Sequence, residues 1–338
     1  MTTILAIESS CDETAAAVVV DGRRMVSNVV VSQIELHAVT GGIVPEVTAR
    51  QHLRAVVPVV RQALTDASMT WDGIDAIAAT AGPGLPGALV VGLNAARGLA
   101  FARGLPFIPT DHIEGHVCAN WLGDGDEPTL PALALVVSGG HTELLLMHEN
   151  GRFTRLGGTR DDAAGEAFDK VARLLGLGYP GGPPVSRLAA SAGKHRVRLP
   201  RAWLRGTDDW SFSGLKSAVQ RMVAEPGAPP QALIADAFEE SVADVLATKT
   251  AWAAEREDVR CVLLAGGVAA NARVRSRLRE RCGVLGIPVF IPPPELCTDN
   301  AAMIAAAAFR HLGSAVAATD ALDVHPTLAP RMRVGITR

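Results

Sequence analysis

Residues 3–22 read TILAIESSCDETAAAVVVDG, and the architecture turns on how this stretch is interpreted. Residues 3–7 are an apolar run, residues 8–14 a polar turn, residues 15–20 a second apolar run, and Asp21-Gly22 a turn dipeptide. Two short apolar runs bounded by turn residues spell a strand–turn–strand hairpin built for burial. The pattern returns at residues 133–137, with the turn Ser138-Gly139-Gly140-His141-Thr142, a second run at 144–147 and the close Asn150-Gly151. The last threonine of each turn precedes the closing glycine by eight residues in one copy and nine in the other. This spacing suits an internal repeat, two lobes each opening with a strand–turn–strand, and it also suits two unrelated hairpins.

Outward from the hairpins, helical and strand patterns alternate. Residues 46–63 read as a helix, 76–80 as a buried strand, 87–102 as an apolar helix after a Gly/Pro turn, and 107–108 as the start of another strand. Residues 123–131 have linker composition. A helix follows around 164–175, then a Gly/Pro loop at 179–184 and a long helix over 230–256. A strand at 261–264 leads into Gly266-Gly267, with a helix from Asn271. Alternating strands and helices predict an α/β protein with helices on both sides of a sheet.

Composition sets outer limits. A chain of 338 residues suggests two domains, each long enough to bury its own core. Hydrophobic residues at 48% and charged ones at 20% exclude a disordered chain. Aromatics are only 4%, so alanine and valine must fill the core. Lysine occurs only at Lys170, Lys194, Lys216 and Lys249, which leaves arginine to carry the positive charge. A net charge of −3 excludes holding nucleic acid by bulk positive charge, while a local basic patch stays open. No apolar run reaches the ~18 residues of a membrane span, and the longest, 87–102, is broken by Asn94 and Arg97. Glu8, Asp12 and Glu13 stand where a signal peptide would be basic and then apolar. Five widely spaced cysteines without CxxC speak against a disulfide framework or zinc ribbon, so the expected compartment is a reducing cytoplasm.

Three glycine turns have the composition of a phosphate cradle: residues 81–87 (AGPGLPG), 137–141 (VSGGH) and 265–271 (AGGVAAN). Glycine lets a backbone approach a ligand closely, and successive N–H groups make an anion nest. None matches GxGxxG or GxxxxGK[ST], so dinucleotide and P-loop readings fail. Together they favour a nucleotide or acyl-phosphate ligand.

His112 and His116 stand at i and i+4, on one face of a helix, a spacing that permits chelation of one metal ion. A pair of partly exposed helix histidines has the same spacing. Ile113 after the first histidine excludes the HExxH zinc-protease motif. Asp299, at the head of an alanine-rich helix, is the candidate third ligand, and an ordinary helix N-cap is the other reading of it. Asp162, Glu166 and Asp169 form an acidic row on one helix side, read as a solvated face. Arg273, Arg275, Arg277, Arg279 and Arg281 spread around a helix and are also read as solvation. Residues 194–205 and the tail arginines Arg331, Arg333 and Arg338 are possible nucleic-acid contacts.

These motifs, taken in order, resemble the bacterial form of the tRNA threonylcarbamoyladenosine transferase family, formerly described as O-sialoglycoprotein endopeptidases. The resemblance is carried by residues 7–14 (IESSCDET), 37–50, 80–84 (TAGPG), 112–116 (HIEGH) and 137–142 (VSGGHT). It continues through 161–170 (DDAAGEAFDK), 179–183 (YPGGP), 212–216 (FSGLK), 265–268 with Asn271, and 297–300 (CTDN). It implies an α/β, actin-like ATPase fold of two related lobes, residues 1–111 plus 297–325 and residues 112–296, with a basic tail at 326–338. It implies transfer of a threonylcarbamoyl group from threonylcarbamoyl-adenylate to N6 of adenosine 37 in tRNAs reading ANN codons.

By position, His112, His116 and Asp299 would bind one divalent metal ion, taken as iron(II), with zinc as the alternative. Val136, Val137, Ser138, Gly139, Gly140, Asp169, Gly182 and Asn271 would bind the adenylate. Where some relatives carry a substrate-touching carboxylate after the YPGGP loop, this chain has Ser186. Asp12 or Glu13, in the first turn, would position or deprotonate the attacking amine. The implied partners are tRNA, a smaller paralogous actin-fold subunit and a small P-loop ATPase, with no membrane. A metal-dependent glycoprotein endopeptidase and an actin-fold ATPase or kinase are the competing readings.

Overall fold

A computed structural model describes residues 1–193 and 197–327. The chain divides into two compact units: Met1–Glu127 with the chain from Thr298 onward, and Pro128–Cys297. The first contains β1 (Thr3–Glu8), β2 (Glu13–Val20), β3 (Arg24–Ser32), α1 (Ile34–Thr40), α2 (Pro45–Asp66), β4 (Ala76–Gly82), α3 (Pro86–Arg103), β5 (Phe107–Asp111) and α4 (His112–Cys118). The second contains β6 (Ala132–Val137), β7 (Thr142–Met147), β8 (Phe153–Gly158), α5 (Ala164–Leu174), α6 (Gly182–Ala190), α7 (Ser213–Ala224), α8 (Gln231–Arg256), β9 (Cys261–Ala265), α9 (Ala272–Val284) and β10 (Val289–Phe290). The chain then returns to the first unit as α10 (Ala301–Phe309).

The sheet of the first unit runs β3-β2-β1-β4-β5. β1 and β2 pair antiparallel from Thr3↔Val20 to Glu8↔Ala15, while β4 and β5 continue in parallel. β1 is buried on both faces, which is why its sequence is a continuous apolar run rather than an alternating one. Successive side chains still point to opposite faces. Leu5 and Ile7 join a cluster with Val56, Val59 and Val60 of α2 and Leu93 and Ala96 of α3. Ile4 and Ala6 join the alanines, Met303 and Ile304 of α10 on the other face.

The sheet of the second unit has the same order, β8-β7-β6-β9-β10, with β6–β7 antiparallel and β6–β9 parallel. The strand–turn–strand at residues 3–22 and its copy therefore occupy equivalent places in equivalent sheets, and the repeat reading holds. α8 is buried on nearly all sides, which makes it the central helix of this unit. Its Phe238 meets Phe168 of α5 edge to face at 5.0 Å, a pair contributing about 0.5–1.5 kcal/mol beyond its area. Its Lys249 is buried, with the ammonium donating to the carbonyls of Leu204, Thr207 and Asp209.

The division differs from the sequence expectation between residues 112 and 127, which belong to the first unit. The cause is α4, which packs on α10 so closely that a Cβ on Gly115 would sit 2.8 Å from Ile304 Cδ1. Cys297 belongs to the second unit. Lys194, Arg196 and the tail arginines Arg331, Arg333 and Arg338 lie outside the described residues. Among the described residues, no helix is long and apolar enough to cross a membrane.

Candidate functional site

In the first unit, α4 starts directly at the end of β5. Asp111 caps it, Oδ1 accepting from the Glu114 amide at 2.9 Å. His112 and His116 then lie one turn apart with ring centroids 4.6 Å apart, both buried. Asp299 Oδ1 lies 3.2 Å from His116 Nε2 and 3.7 Å from His112 Nε2. One ligand atom from each of the three lies within 4.8 Å of the others. Capping does not account for Asp299, because the cap of α10 is Asn300, whose Oδ1 accepts from the Met303 amide at 3.0 Å.

A residue outside the sequence-derived set orients this cluster. Glu8, at the end of β1, is fully buried and places Oε2 3.2 Å from His112 Nδ1. The carboxylate also accepts from Thr80 Oγ1 and the Ser10 amide, and Ser10 Oγ lies 3.0 Å from the same Nδ1. A carboxylate at Nδ1 keeps the proton there and turns the Nε2 lone pair toward Asp299 and His116. Burial works against charge on Glu8, yet His112 and Thr80 hold its carboxyl below the usual range. Burial likewise works against a charged His112, but Asp299 and Glu8 lift its pKa to about 9, so a metal ion at Nε2 would take the place of a proton there.

The residues present fit one metal ion. Neither ring nitrogen of buried His116 has a hydrogen-bond partner, a deficit that a metal ion at Nε2 would relieve. Two imidazoles and one carboxylate form a three-ligand set that leaves coordination positions open.

Asp12 ends the turn between β1 and β2, and Glu13 opens β2. His52 Nε2 lies 2.9 Å from the Cys11 carbonyl, and its Nδ1 lies 2.8 Å from Thr14 Oγ1, which fixes this turn. Glu13 Oε1 accepts from Ser32 Oγ at 3.0 Å. Burial, reinforced by the carboxylates of Asp299 and Asp12, pushes Glu13 up to about 10. A protonated Glu13 offers a proton rather than taking one.

In the second unit, β6 carries Val136 and Val137 into the turn Ser138–His141. Ser138 O accepts from the Gly165 amide at 3.1 Å, which seats the start of α5 on the turn. A Cβ at Gly165 would sit 2.5 Å from Ser138 O, and one at Gly266 2.5 Å from Val137 O, so both glycines are required by packing. Gly139, Gly140, Gly182 and Gly267 differ. A Cβ at any of them meets nothing within 4 Å, and none has a positive φ. Because β6 and β9 are neighbours in parallel, the turns at 138–140 and 266–267 follow the carboxyl ends of adjacent strands, where α/β sheets bind ligands.

Asp169 Oδ1 accepts from the Gly181 amide at 2.6 Å and ties α5 to the YPGGP loop ahead of Gly182. Asn271 caps α9 through Oδ1, accepting from the Val274 amide at 3.0 Å. Its Nδ2 donates to Ser186 Oγ at 3.0 Å and to Glu239 Oε1 at 2.7 Å. The sequence-derived residues thus form a His112–His116–Asp299 cluster beside the Asp12/Glu13 turn in one unit, and the turn, loop and cap set in the other.

Three sequence readings change. The AGPG turn is not a free cradle: a Cβ at Gly82 would collide with the His325 carbonyl, and the amides of Gly84 and Leu85 donate to Pro326 O and Ser10 O. Its glycines make room for the chain itself. The arginines of α9 are not simply solvated, since Arg273 pairs with Asp236, Glu239 and Glu240, Arg277 with Glu240 and Glu280, and Arg281 with Asp244. Of the acidic row, Asp162 and Glu166 hold Lys170 at 2.6 and 2.9 Å, while Asp169 serves the loop.

The sequence pattern of the tRNA N6-adenosine threonylcarbamoyltransferase family matches residues 24–306. This chain belongs to that family. It is 56% identical to the tRNA N6-adenosine threonylcarbamoyltransferase of Geobacillus thermodenitrificans over 90% of each chain. It is 50% identical to that of Thermomicrobium roseum over 96% of each. Among solved structures it is similar to Thermococcus kodakarensis HypF, with a TM-score of 0.62 at 14% identity over 93% of this chain and 48% of that one. It is also similar to component A of the Acidaminococcus fermentans (R)-2-hydroxyglutaryl-CoA dehydratase, with a TM-score of 0.54 at 19% identity over 92% and 98%. At these identities the likeness is one of fold, and it agrees with the two equivalent sheets: the chain has the actin-like ATPase fold. Membership of the threonylcarbamoyltransferase family makes the chain an enzyme of the transferase class.

Proposed function

We propose that this chain transfers the threonylcarbamoyl group from threonylcarbamoyl-adenylate to N6 of adenosine 37 in tRNAs reading ANN codons, releasing AMP. The observation that supports this most is the family match over residues 24–306. The donor set His112, His116 and Asp299 and the bare glycines of the second unit accord with it.

The donor is a mixed anhydride and the nucleophile a weakly basic amine, so the reaction needs a polarised carbonyl, a stabilised leaving phosphate and an oriented adenosine. His112, His116 and Asp299 would hold one divalent ion, iron(II) or zinc, which when bound supplies Lewis acidity. Glu8 keeps His112 in the ligating tautomer. The amides of Gly139 and Gly140, with Val136, Val137, Ser138 and Gly182, take the adenylate. Asp169 shapes the loop ahead of Gly182, and Asn271 meets the nucleoside side. Asp12 accepts the amine proton in this scheme. The sequence shows no Ser–His–Asp order, so transfer is direct, without an acyl-enzyme.

The peptidase reading gains no free base from between the two histidines. Glu114, the carboxylate between the two histidines, is held by His311 Nε2 at 2.5 Å. At a net charge of −3 the chain binds tRNA weakly by itself, and a smaller paralogous subunit and a small P-loop ATPase supply the rest of the machinery in the cytoplasm. The test incubates the chain and those partners with threonylcarbamoyl-adenylate and unmodified tRNA, then resolves nucleosides by mass spectrometry. Threonylcarbamoyladenosine is the expected product; its absence, with glycoprotein or sugar turned over instead, contradicts the proposal.

A further inference from the structure

α4 carries Glu114 midway between its two histidines, and the chemistry proposed above gives this carboxylate no role. Glu114 is two residues from His112 and two from His116, which puts it about 200° around the helix from each. It therefore lies on the side of α4 opposite the imidazoles. It is 1% exposed, and its Oε1 lies 2.5 Å from His311 Nε2. A buried carboxylate is costly unless it is paired, so its presence here calls for a reason beyond filling space.

His311 and Asp299 bracket α10. Asp299 stands two residues before Ala301, and His311 two residues after Phe309. The nine residues of the helix span about 13 Å. α4 thus meets both ends of α10, through the imidazoles at one and through Glu114 at the other. Between these ends the seam is made largely of small residues. Gly115 faces Ile304 and Met303, and Cys118 packs with Ala306 and Ala307. Small side chains bring two helices close, but their shallow ridges and grooves do little to fix the angle between them. The hydrogen bond between His311 and Glu114 supplies a directional hold at the far end.

We propose that Glu114 and His311 are positioning residues for the metal site: their bond sets how α4 lies on α10, and with it the separation of His112 and His116 from Asp299. This rests on the reading of those three residues as metal ligands. Ligands carried on two helices hold an ion well only where the helices keep their register, because a metal–ligand distance tolerates a deviation of only about 0.2 Å.

The test is titration of the metal-free full chain with Co(II), followed by calorimetry and by the visible absorption of the bound ion, for wild type, His311→Leu and His311→Gln. Glutamine returns a donor close to where Nε2 stood, and leucine returns none. H311L is expected to bind Co(II) about tenfold more weakly than wild type with an altered spectrum, and H311Q to stay within about threefold. A role in stability alone would lower the melting temperature of the metal-free protein and leave the affinity and spectrum of its folded molecules unchanged. An H311L with wild-type affinity and spectrum therefore overturns the proposal whatever its melting temperature, and so does an H311Q that falls as far as H311L. Should H311L not fold, the double variant Glu114→Gln/His311→Leu leaves no buried charge and is judged by the same two readouts. A wild type that binds Co(II) no better than His112→Ala overturns the metal reading itself, and is recognised before the His311 variants are compared.

Discussion

The two units share a sheet order and differ in the residues placed directly after the first strand. Glu8 ends β1 and Ser10 and Asp12 follow it, all buried, and Glu8 holds His112 through Nδ1. After β6 stand Ser138, Gly139 and Gly140, with open space where the two glycines would carry side chains. One position on one scaffold has thus been given opposite chemistry. Carboxylates gathered around imidazoles favour a cation, and bare amides beside the start of a helix favour an anion. The difference lies in a handful of turn residues and leaves the strands that present them unchanged.

The largest effect should come from breaking the cation side. His112→Ala is expected to lose metal and to lower product formation by roughly 100-fold or more, read by metal analysis and nucleoside mass spectrometry. Glu8→Gln, which leaves the ligands intact and removes only their orientation, should lower metal affinity by about 10–100-fold. An E8Q protein with wild-type metal content would show that His112 needs no partner.

The anion side is tested by two glycines that packing treats differently. Gly165→Ala pushes a methyl against Ser138 O and should destabilise the second unit by about 1–3 kcal/mol in chemical denaturation. Gly139→Ala meets nothing and should change stability by less than about 0.5 kcal/mol, yet weaken AMP binding. Equal effects of the two on stability and on binding would remove the distinction drawn here.

The smallest effect concerns Asp161, whose carboxylate accepts from the Phe212 amide at 2.7 Å and from Ser213 Oγ at 2.7 Å, capping α7 from far upstream in the chain. Partial burial opposes its charge, but these bonds and the Ser211 hydroxyl hold its pKa below the usual carboxylate range. A group with a lowered folded pKa stabilises above its unfolded value and loses that contribution as pH falls through the folded value. Asp161→Asn should therefore cost about 1 kcal/mol or less at neutral pH and nothing once the pH is below both values, measured by denaturation under both conditions.

Legibility in the sequence tracks how local each feature is. The paired hairpins can be read because two apolar runs flank a polar turn, and Asn271 because a cap sits next to its helix. β3 and β8 escape a sequence reading, since both lie at sheet edges with mixed exposure and no clean alternation. The glycines at 82 and 84 suggest a ligand, but their need comes from His325 and Ser10, far away in the chain. The i, i+4 histidines are visible, whereas Glu8, distant from His112 along the chain, becomes their partner only through the fold. The Glu114–His311 pair is hidden for the same reason, its members far apart in the chain until α4 packs on α10.

Above all, the two units should carry separable chemistries, which metal content and AMP affinity measured on the same preparations of two variants would decide. His112→Ala should lose metal while binding AMP within about twofold of wild type, and Gly139→Val should lose AMP binding while keeping its metal. Loss of both properties in either variant, with melting unchanged, would show that the two chemistries are one.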